Sequence, residues 1–588
     1  MVTQKFYNYQ NNLVFLILLS SLVTLHAWVS SYFVGATKIW SADNRMPDAF
    51  SEWIISLSPI AGGVSALLMA HYVNLNHRPF YIGIFAIFHA IIGLLLITPN
   101  LNHANNVHLN HNARNQILCD SNYNNDVESN NIANMVMYQF FNGISFTSIV
   151  TLGIVHLDEN KYLTPLYIGF MVFTAQIGRF IGLHLILTPN IQIFYSFAWG
   201  LPMTGIFIIG LLIIIFPKYM TKKRSSQTIS QQPAKVFSFF DGLHSLFTSK
   251  LFLLNSLSAI FMYTAVVNYS AMSEKINISY YLKLHSDNNH PNVLHFWILV
   301  VVSIIILIMS KIFIRKLPST KFLVYWLIAA YATILALFVN HKFFSCNDET
   351  NFFKNNIALK ECNFNCGCEP DFEPVCLDGY TYYSACYAGC TVQNSTGYYN
   401  CQCGTNDAHA TLGYCSETLC LTDVLITQFS FVIIFSLVVC TFMIHVLIAM
   451  RTVRHHNLRA SGIGFLLLGI LLFPYHPFKL IYEVINWSHC MEWFRNECVA
   501  YTEELTSVII TTTIIFMILS IIPTMCMLWW VRKMEKTSKI QSEDYLYEPT
   551  LESLHVPTET EDLYNVIMET EENSDEIPSS SKDYDYLT

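Results

Sequence analysis

Stretches of about twenty apolar residues recur along this chain, and a helix needs about that many to cross the ~30 Å hydrocarbon layer of a bilayer. Twelve are legible. Six lie in the first half, near 12–35, 53–73, 80–99, 136–155, 164–187 and 192–216. Six more lie near 251–271, 293–310, 322–340, 421–450, 460–484 and 505–531. Of 588 residues only 12% are charged, about half the share of a soluble domain, so there is too little polar material to face water on all sides. The first run is longer than a signal-peptide core and has no small-x-small cleavage site behind it, so it is expected to stay as the first helix.

The formal net charge of −9 is unevenly placed. Residues 541–588 carry 14 acids against one base, Lys582, which leaves the rest of the chain slightly basic. Nucleic-acid binding, a secreted globular enzyme and a fully disordered chain are thereby disfavoured. With a cytoplasmic N-terminus, 21 of the 32 bases fall on the cytoplasmic side, as the positive-inside rule requires. They cluster at Lys218, Lys222, Lys223 and Arg224, at Lys311, Arg315, Lys316 and Lys321, and at Arg451, Arg454 and Arg459. The N-x-S/T acceptors Asn277, Asn394 and Asn486 then lie outside, and a fourth, Asn268, sits at the outer lip of the seventh span.

Eleven of the 16 cysteines fall between Cys346 and Cys420. Such density predicts a disulfide framework in an oxidising compartment, because a short loop has no hydrophobic core of its own. After Cys346, its core is Cys362, Cys366, Cys368, Cys376, Cys386, Cys390, Cys401, Cys403, Cys415 and Cys420; Cys490 and Cys498 occupy another external loop and Cys119 a third. The pairing is not readable. A zinc ribbon built on Cys366–Cys368 and Cys401–Cys403 is the weaker alternative, since both pairs are C-x-C rather than C-x-x-C.

Ionisable groups inside a bilayer are costly and mark function by default. Within the spans the clear acids reduce to Glu483 and the clear bases to Arg179 and Lys479. A cation-coupled symporter needs acids there, so their scarcity argues against sodium or proton coupling and against cationic substrates. Arg179 follows Gly178 and precedes Gly182, a small-xxx-small pair suited to close helix packing. It reads either as an anion-binding group on a central cavity or as a structural arginine. Lys479 stands four residues before Glu483, the spacing of a helical ion pair, and is otherwise a second substrate candidate. His26, His89, His184 and His445 also fall within spans; His184, five residues beyond Arg179, is the one that bears on a site there and on pH dependence. No phosphate-binding loop, catalytic constellation, cofactor motif or resident metal site is evident, so an enzyme is not expected.

Pro374-Val375-Cys376-Leu377-Asp378-Gly379-Tyr380-Thr381-Tyr382, running on to Cys386 and Ala388-Gly389-Cys390, resembles a Kazal-type module. In particular it resembles the one inserted between helices nine and ten of the organic anion transporting polypeptides. Asn76-His77-Arg78-Pro79 resembles that family's turn after helix two, and Leu157-Asp158-Glu159-Asn160 its end of helix four. Cys490-Met491-Glu492-Trp493 through Cys498 resembles its last external loop. Of the helix-six signature Ala198-Trp199 survives, with Phe197 and Gly200 replacing expected residues. Leu377 replaces a usual Gly, Arg179 an expected Pro and Asn100 a frequent His, and the Arg expected in helix eleven is missing from Gly464–Pro474.

The resemblance implies an all-α membrane protein of the major facilitator type, twelve helices in two six-helix halves with a disulfide-rich Kazal-like external insertion. The expected divisions are a cytoplasmic N-terminus (1–11), a first half (12–216), a cytoplasmic linker (217–250), a second half (251–531) holding the insertion (341–420), and a disordered acidic tail (532–588) with a sorting-like Tyr564-Asn565-Val566-Ile567. It implies sodium-independent carriage of bile salts, steroid conjugates, thyroid hormones or prostanoids across the plasma membrane, in exchange for an intracellular anion. Arg179, His184, Lys479 and Trp199 are the candidate substrate residues. His77, Arg78, Pro79 and Asp158 are candidates for the cytoplasmic seam. A membrane-tethered Kazal-type inhibitor and a transport-inactive receptor or scaffold are the rival readings.

Overall fold

The computed structural model describes residues 2–43, 48–74, 76–96, 129–158, 164–186, 197–217, 238–281, 291–315, 319–342, 362, 375–382, 384–394, 397–404, 409–412, 421–453, 458–494, 497–502 and 504–544. The Lys218–Arg224 cluster, Cys119, Cys366, Cys368, Cys415, Cys420 and Tyr564 lie outside them. The chain divides into Met1–Val531, which holds every site discussed below, and Arg532–Thr588.

The first six spans are α1 (Val2–Asp43), α2 (Asp48–Tyr72), α3 (Arg78–Leu95), α4 (Ser129–Ser148), α5 (Thr164–Ile186) and α6 (Phe197–Ile214). α4 runs on through a π-helical turn, Ile149–Gly153, into a last turn, Ile154–Leu157. A short linker helix, Phe239–Thr248, precedes α7 (Lys250–Tyr281), α8 (Pro291–Arg315), α9 (Thr320–His341) and α10 (Leu421–Thr452). The last two are α11 (Arg459–Leu472) and α12 (Glu504–Asp544). Eleven of the twelve are long and apolar enough to cross a membrane unbroken.

The exception is the eleventh span, expected as one helix over 460–484. It stops at Leu472 and resumes as a separate second limb, Lys479–Ser488. Pro474 and Pro477 each lack the N–H that would continue the ladder, and their rings crowd the carbonyls one turn back. Phe478 N–H reaches back to the Phe473 carbonyl (3.3 Å), and the Pro474 carbonyl instead accepts the Asn268 side-chain amide of α7 (3.2 Å). Irregular backbone at membrane depth persists only where protein or a water-lined cavity satisfies it.

Lipid tails are as apolar as a protein core, so helices in a bilayer gain from close approach rather than from apolar burial. Gly178 and Gly182 of α5 show this, because a Cβ on either would run into the α1 backbone at Thr24 and Trp28. Exposed apolar side chains, among them Ile208, Leu307 and Ile215, suit a lipid surround and account for the shortage of charge. A Gly178→Val substitution forces α1 and α5 apart; overpacking costs ~1–3 kcal/mol and a backbone clash lies at the upper end. Recovery of monodisperse protein from detergent extracts is expected to fall at least tenfold, and full recovery would show that the seam relaxes.

α1–α6 and α7–α12 form two halves that meet along two seams. At one, Gly464 of α11 lies against the Ala66 carbonyl of α2, 2.6 Å from where its Cβ would sit. At the other, α5 meets α8 through Gly169 and Ile306 and through Phe180 and Phe296. Each half has its own polar core. In the first, the Asn142 amide donates to Ser58 Oγ (3.0 Å) and Gln139 Oε1 (3.1 Å), and His26 Nε2 lies 3.1 Å from the Asn142 carbonyl. In the second, His445 stands between the Tyr331 hydroxyl (2.7 Å) and Asn255 Oδ1 (2.8 Å).

The disulfide-rich insertion is a small β unit. Strands β1 (Val375–Leu377) and β2 (Tyr380–Tyr382) form a hairpin whose two-residue turn, Asp378-Gly379, has φ of 52° and 80°, the left-handed pair that Asp-Gly favours. β3 (Val392–Asn394) pairs with β4 (Gly397–Tyr399), while β5 (Thr411–Leu412) pairs with β1. Disulfides join Cys362 to Cys403 and Cys390 to Cys401, and Cys376 and Cys386 are also disulfide-bonded. Cys401 and Cys403 are thus unavailable to zinc. Cys490–Cys498 ties a second hairpin, β6 (Cys490–Phe494) against β7 (Glu497–Tyr501).

Two acceptor asparagines are corrected. Asn486 is buried on the second limb and Asn268 is buried against the break, so neither amide is open to glycosylation. The side chains of Asn277 and Asn394 lie outside the described residues. An Asn486→Gln variant is expected to run on gels as the parent does, with and without glycosidase treatment; a faster band before treatment would place a glycan there.

Candidate functional site

Arg179 lies on the helix that closes against α1, and its own carbonyl accepts Ser31 Oγ of α1 (3.3 Å). A helix turns ~100° per residue, so the residue after the packing glycine carries its side chain off that seam. The guanidinium makes no ion pair or hydrogen bond with any described residue. It lies within Coulombic range of the Tyr475 hydroxyl, in the break after α11, and of the His295 ring at the start of α8. All three residues are partly accessible. One comes from the first half and two from the second.

The other candidates fall elsewhere. His184 is exposed and stacks on Phe180 (ring centroids 6.0 Å apart). Five residues correspond to ~500° of helix, which sets it ~140° from Arg179 around the axis. Trp199 is fully buried, donates Nε1–H to the Gly93 carbonyl of α3 (2.9 Å) and packs edge-on against Tyr138. It is a packing residue with no surface for a ligand. Lys479 pairs with Glu483 (3.7 Å) as the spacing suggested, but its closer partner is Glu52 of α2 (2.8 Å), across the seam between the halves.

At the other end of the same broken span lies a second cross-half pair. Asp158, buried after the last turn of the fourth span, accepts Arg459 Nη1 (2.8 Å) on one oxygen and Thr164 Oγ1 (2.8 Å) on the other. Arg451, at the end of α10, adds to the positive field on this carboxylate. His77 caps α3 by accepting Phe80 N–H on Nδ1 (3.2 Å), Pro79 occupies its first turn, and Arg78 Nε donates to the Asn74 carbonyl and side chain (3.0 Å each). The eleventh span therefore carries a base at each end, each paired with an acid of the first half. Arg179, without an ion-pair partner among the described residues, lies within Coulombic range of Tyr475 in its break.

Sequence reasoning had not singled out Glu52, Arg459, Tyr475 or His295. Glu52 sits one residue before the expected second span, Arg459 looked like one of many positive-inside bases, and Tyr475 is one of 32 tyrosines. His295 had a signal, since it lies inside the expected eighth span.

The sequence profile of the Organic Anion Transporter Polypeptide (OATP) family matches residues 14–503. The chain belongs to that family. Over 411 residues it is 24% identical to Solute carrier organic anion transporter family member 74D of Drosophila melanogaster, covering 60% of this chain and 48% of that protein. With member 1A4 of Rattus norvegicus it shares 24% over 338 residues, 47% of this chain and 50% of the relative. With member 4C1 of Pongo abelii it shares 30% over 155 residues, 24% and 21% respectively. The chain thus spans about half, or less, of the length of the curated relatives it matches.

Among solved structures, the proton:xylose symporter XylE bound to 6-bromo-6-deoxy-D-glucose aligns with a TM-score of 0.51 at 10% identity, over 89% of this chain and 97% of that one. At that identity the likeness speaks for the fold alone, and the fold is that of the major facilitators. In this OATP-family chain, Arg179 has no ion-pair partner among the described residues. The acids Glu52, Asp158 and Glu483 are each engaged by a base.

Proposed function

We propose that this chain carries large amphipathic organic anions across the plasma membrane, without sodium, by alternating access around Arg179. The unpaired guanidinium in the fifth span carries this reading. A cation inside a span without a counter-ion is expensive, and the cost is offset when a carboxylate or sulfate arrives, which a guanidinium can bind through two parallel hydrogen bonds. Membership of the OATP family supports bile salts, steroid conjugates, thyroid hormones or prostanoids as cargo, with an intracellular anion exchanged. Both termini and the Arg78, Arg451 and Arg459 end face the cytoplasm in this reading. The Kazal-like insertion stands outside and serves folding and surface delivery.

Alternating access rocks the two halves about a midplane site. Asp158–Arg459 and the His77-Arg78-Pro79 turn hold the cytoplasmic end, and Glu52–Lys479 holds the outer end. Each pair must open in its turn, so both belong to the gate and not to the cargo site.

Cells expressing the chain are expected to take up a labelled steroid sulfate saturably, at a rate unchanged when choline replaces sodium. Surface-expressed protein without uptake would favour the receptor or scaffold reading. Loss of uptake on sodium removal would overturn the coupling claim.

A further inference from the structure

We infer that the anionic head group is held as a bridge between the two halves, by the Arg179 guanidinium from one side and the Tyr475 hydroxyl from the other. This rests on the transport reading above and adds to it a second, unassigned half of the site. Three observations carry it. Tyr475 sits in the break of the eleventh span, between the two prolines that force the break. Its hydroxyl makes no hydrogen bond with any described residue and its backbone N–H donates to none, and the side chain is partly accessible, so its polar groups are left for a ligand. Its hydroxyl is also within Coulombic range of Arg179, although the two residues lie on opposite halves.

The break is held firmly from behind. The Asn268 amide grips the Pro474 carbonyl, which spares Tyr475 from serving the backbone and fixes where its ring leaves the chain. His295 of α8 faces the same guanidinium, and its ring nitrogens likewise take no hydrogen bond from a described residue, so it stands as a third polar wall. Beside the break the rings of Phe261, Phe473 and Phe478 meet, with centroids 6.1–6.2 Å apart along the Phe473–Phe478–Phe261 path. Polar donors on one side and aromatic faces on the other suit a ligand with a charged head and a rigid apolar body.

The division has a mechanical consequence. An anion touching Arg179 alone would bind one half and leave the other indifferent. One shared by Arg179 and Tyr475 binds best when the halves are drawn together, so cargo itself favours the occluded state. Tyr475 is on this account a specificity residue: its hydroxyl reads the head group and not the body.

The test uses the purified full chain in lipid nanodiscs, with a labelled steroid sulfate and its unsulfated parent as probes. Tyr475→Phe is expected to weaken sulfate binding about tenfold, the scale of one lost hydrogen bond to a charged group, and to leave the parent steroid unchanged. Because both probes are read on one preparation, their ratio stands even if the variant melts earlier. Combined with Arg179→Gln, the loss should be less than the product of the single losses, since the two residues share one ligand group. If the unaltered chain binds no sulfate, the transport reading itself fails. If it does bind, and Arg179→Gln loses sulfate while Tyr475→Phe keeps it, the bridge is overturned and the transport reading stands. Equal loss of both probes in Tyr475→Phe would mark a merely structural tyrosine and would also overturn the bridge.

Discussion

Replacing Arg179 by Gln is expected to reduce uptake of a steroid sulfate about 100-fold, the effect of losing two charge-assisted hydrogen bonds worth ~1.5 kcal/mol each. The same change should leave the empty protein as stable as before, or more so. The guanidinium has no counter-ion among the described residues, so removing it relieves a desolvation cost without orphaning a partner. Opposite signs for stability and uptake separate a binding arginine from a structural one, whose loss would lower both. Arg179→Lys keeps the charge but not the planar fork, and should fall between. Thermal melts of the empty protein alongside initial uptake rates decide the matter. Uptake at unchanged affinity in Arg179→Gln would remove this residue from the site.

Neutralising Asp158 is the second large effect. Asp158→Asn keeps the shape of the carboxylate but leaves Arg459 without its counter-charge, and breaking a buried ion pair costs ~3–5 kcal/mol. Arg459 retains some solvent, with its side chain 21% exposed, so the lower end of that range applies. Both Asp158→Asn and Arg459→Gln are expected to cut uptake more than tenfold, and the double neutral variant should do better than either alone. A straight charge swap would restore less, because Arg451 also faces position 158.

The conformational half of the claim has its own readout. Ser461 is buried at the α2–α11 seam, so Ser461→Cys should react slowly with a thiol reagent in the parent and quickly once the latch is broken. A Cys526→Ser background removes the exposed free thiol, while Cys440 is buried. Equal labelling rates with and without the latch would show that Asp158–Arg459 does not hold that end closed.

The sequence made some of this legible and not the rest, for physical reasons. The Gly178–Gly182 spacing pointed to a packed helix, and α1 lies against it, because close approach needs small residues at one-turn intervals whatever the partner. Lys479 and Glu483 were legible as a helical pair for the same local reason. Glu52 was not, because the ion pair spans 427 residues and depends on which helices meet across the seam. His184 is near Arg179 along the chain, but helical geometry turns it away. Trp199 stood out by resemblance to a signature, and its place in a buried aromatic stack became visible only in three dimensions.

By itself the sequence determined that this chain is a multi-pass membrane protein with a dozen apolar runs and one stretch tied by disulfides. Those properties follow from local quantities: the length of an apolar run, the bias of bases between loops, and the density of cysteine. Tertiary structure decided which charges are spent and which remain. The two prolines at 474 and 477 break the helix, but only the packing of the halves brings Tyr475 within Coulombic range of Arg179 and gives Lys479 and Arg459 their acids. Whether an ionic group inside a membrane is structural or functional depends on its partner, and partners are set by how helices pack rather than by their order along the chain.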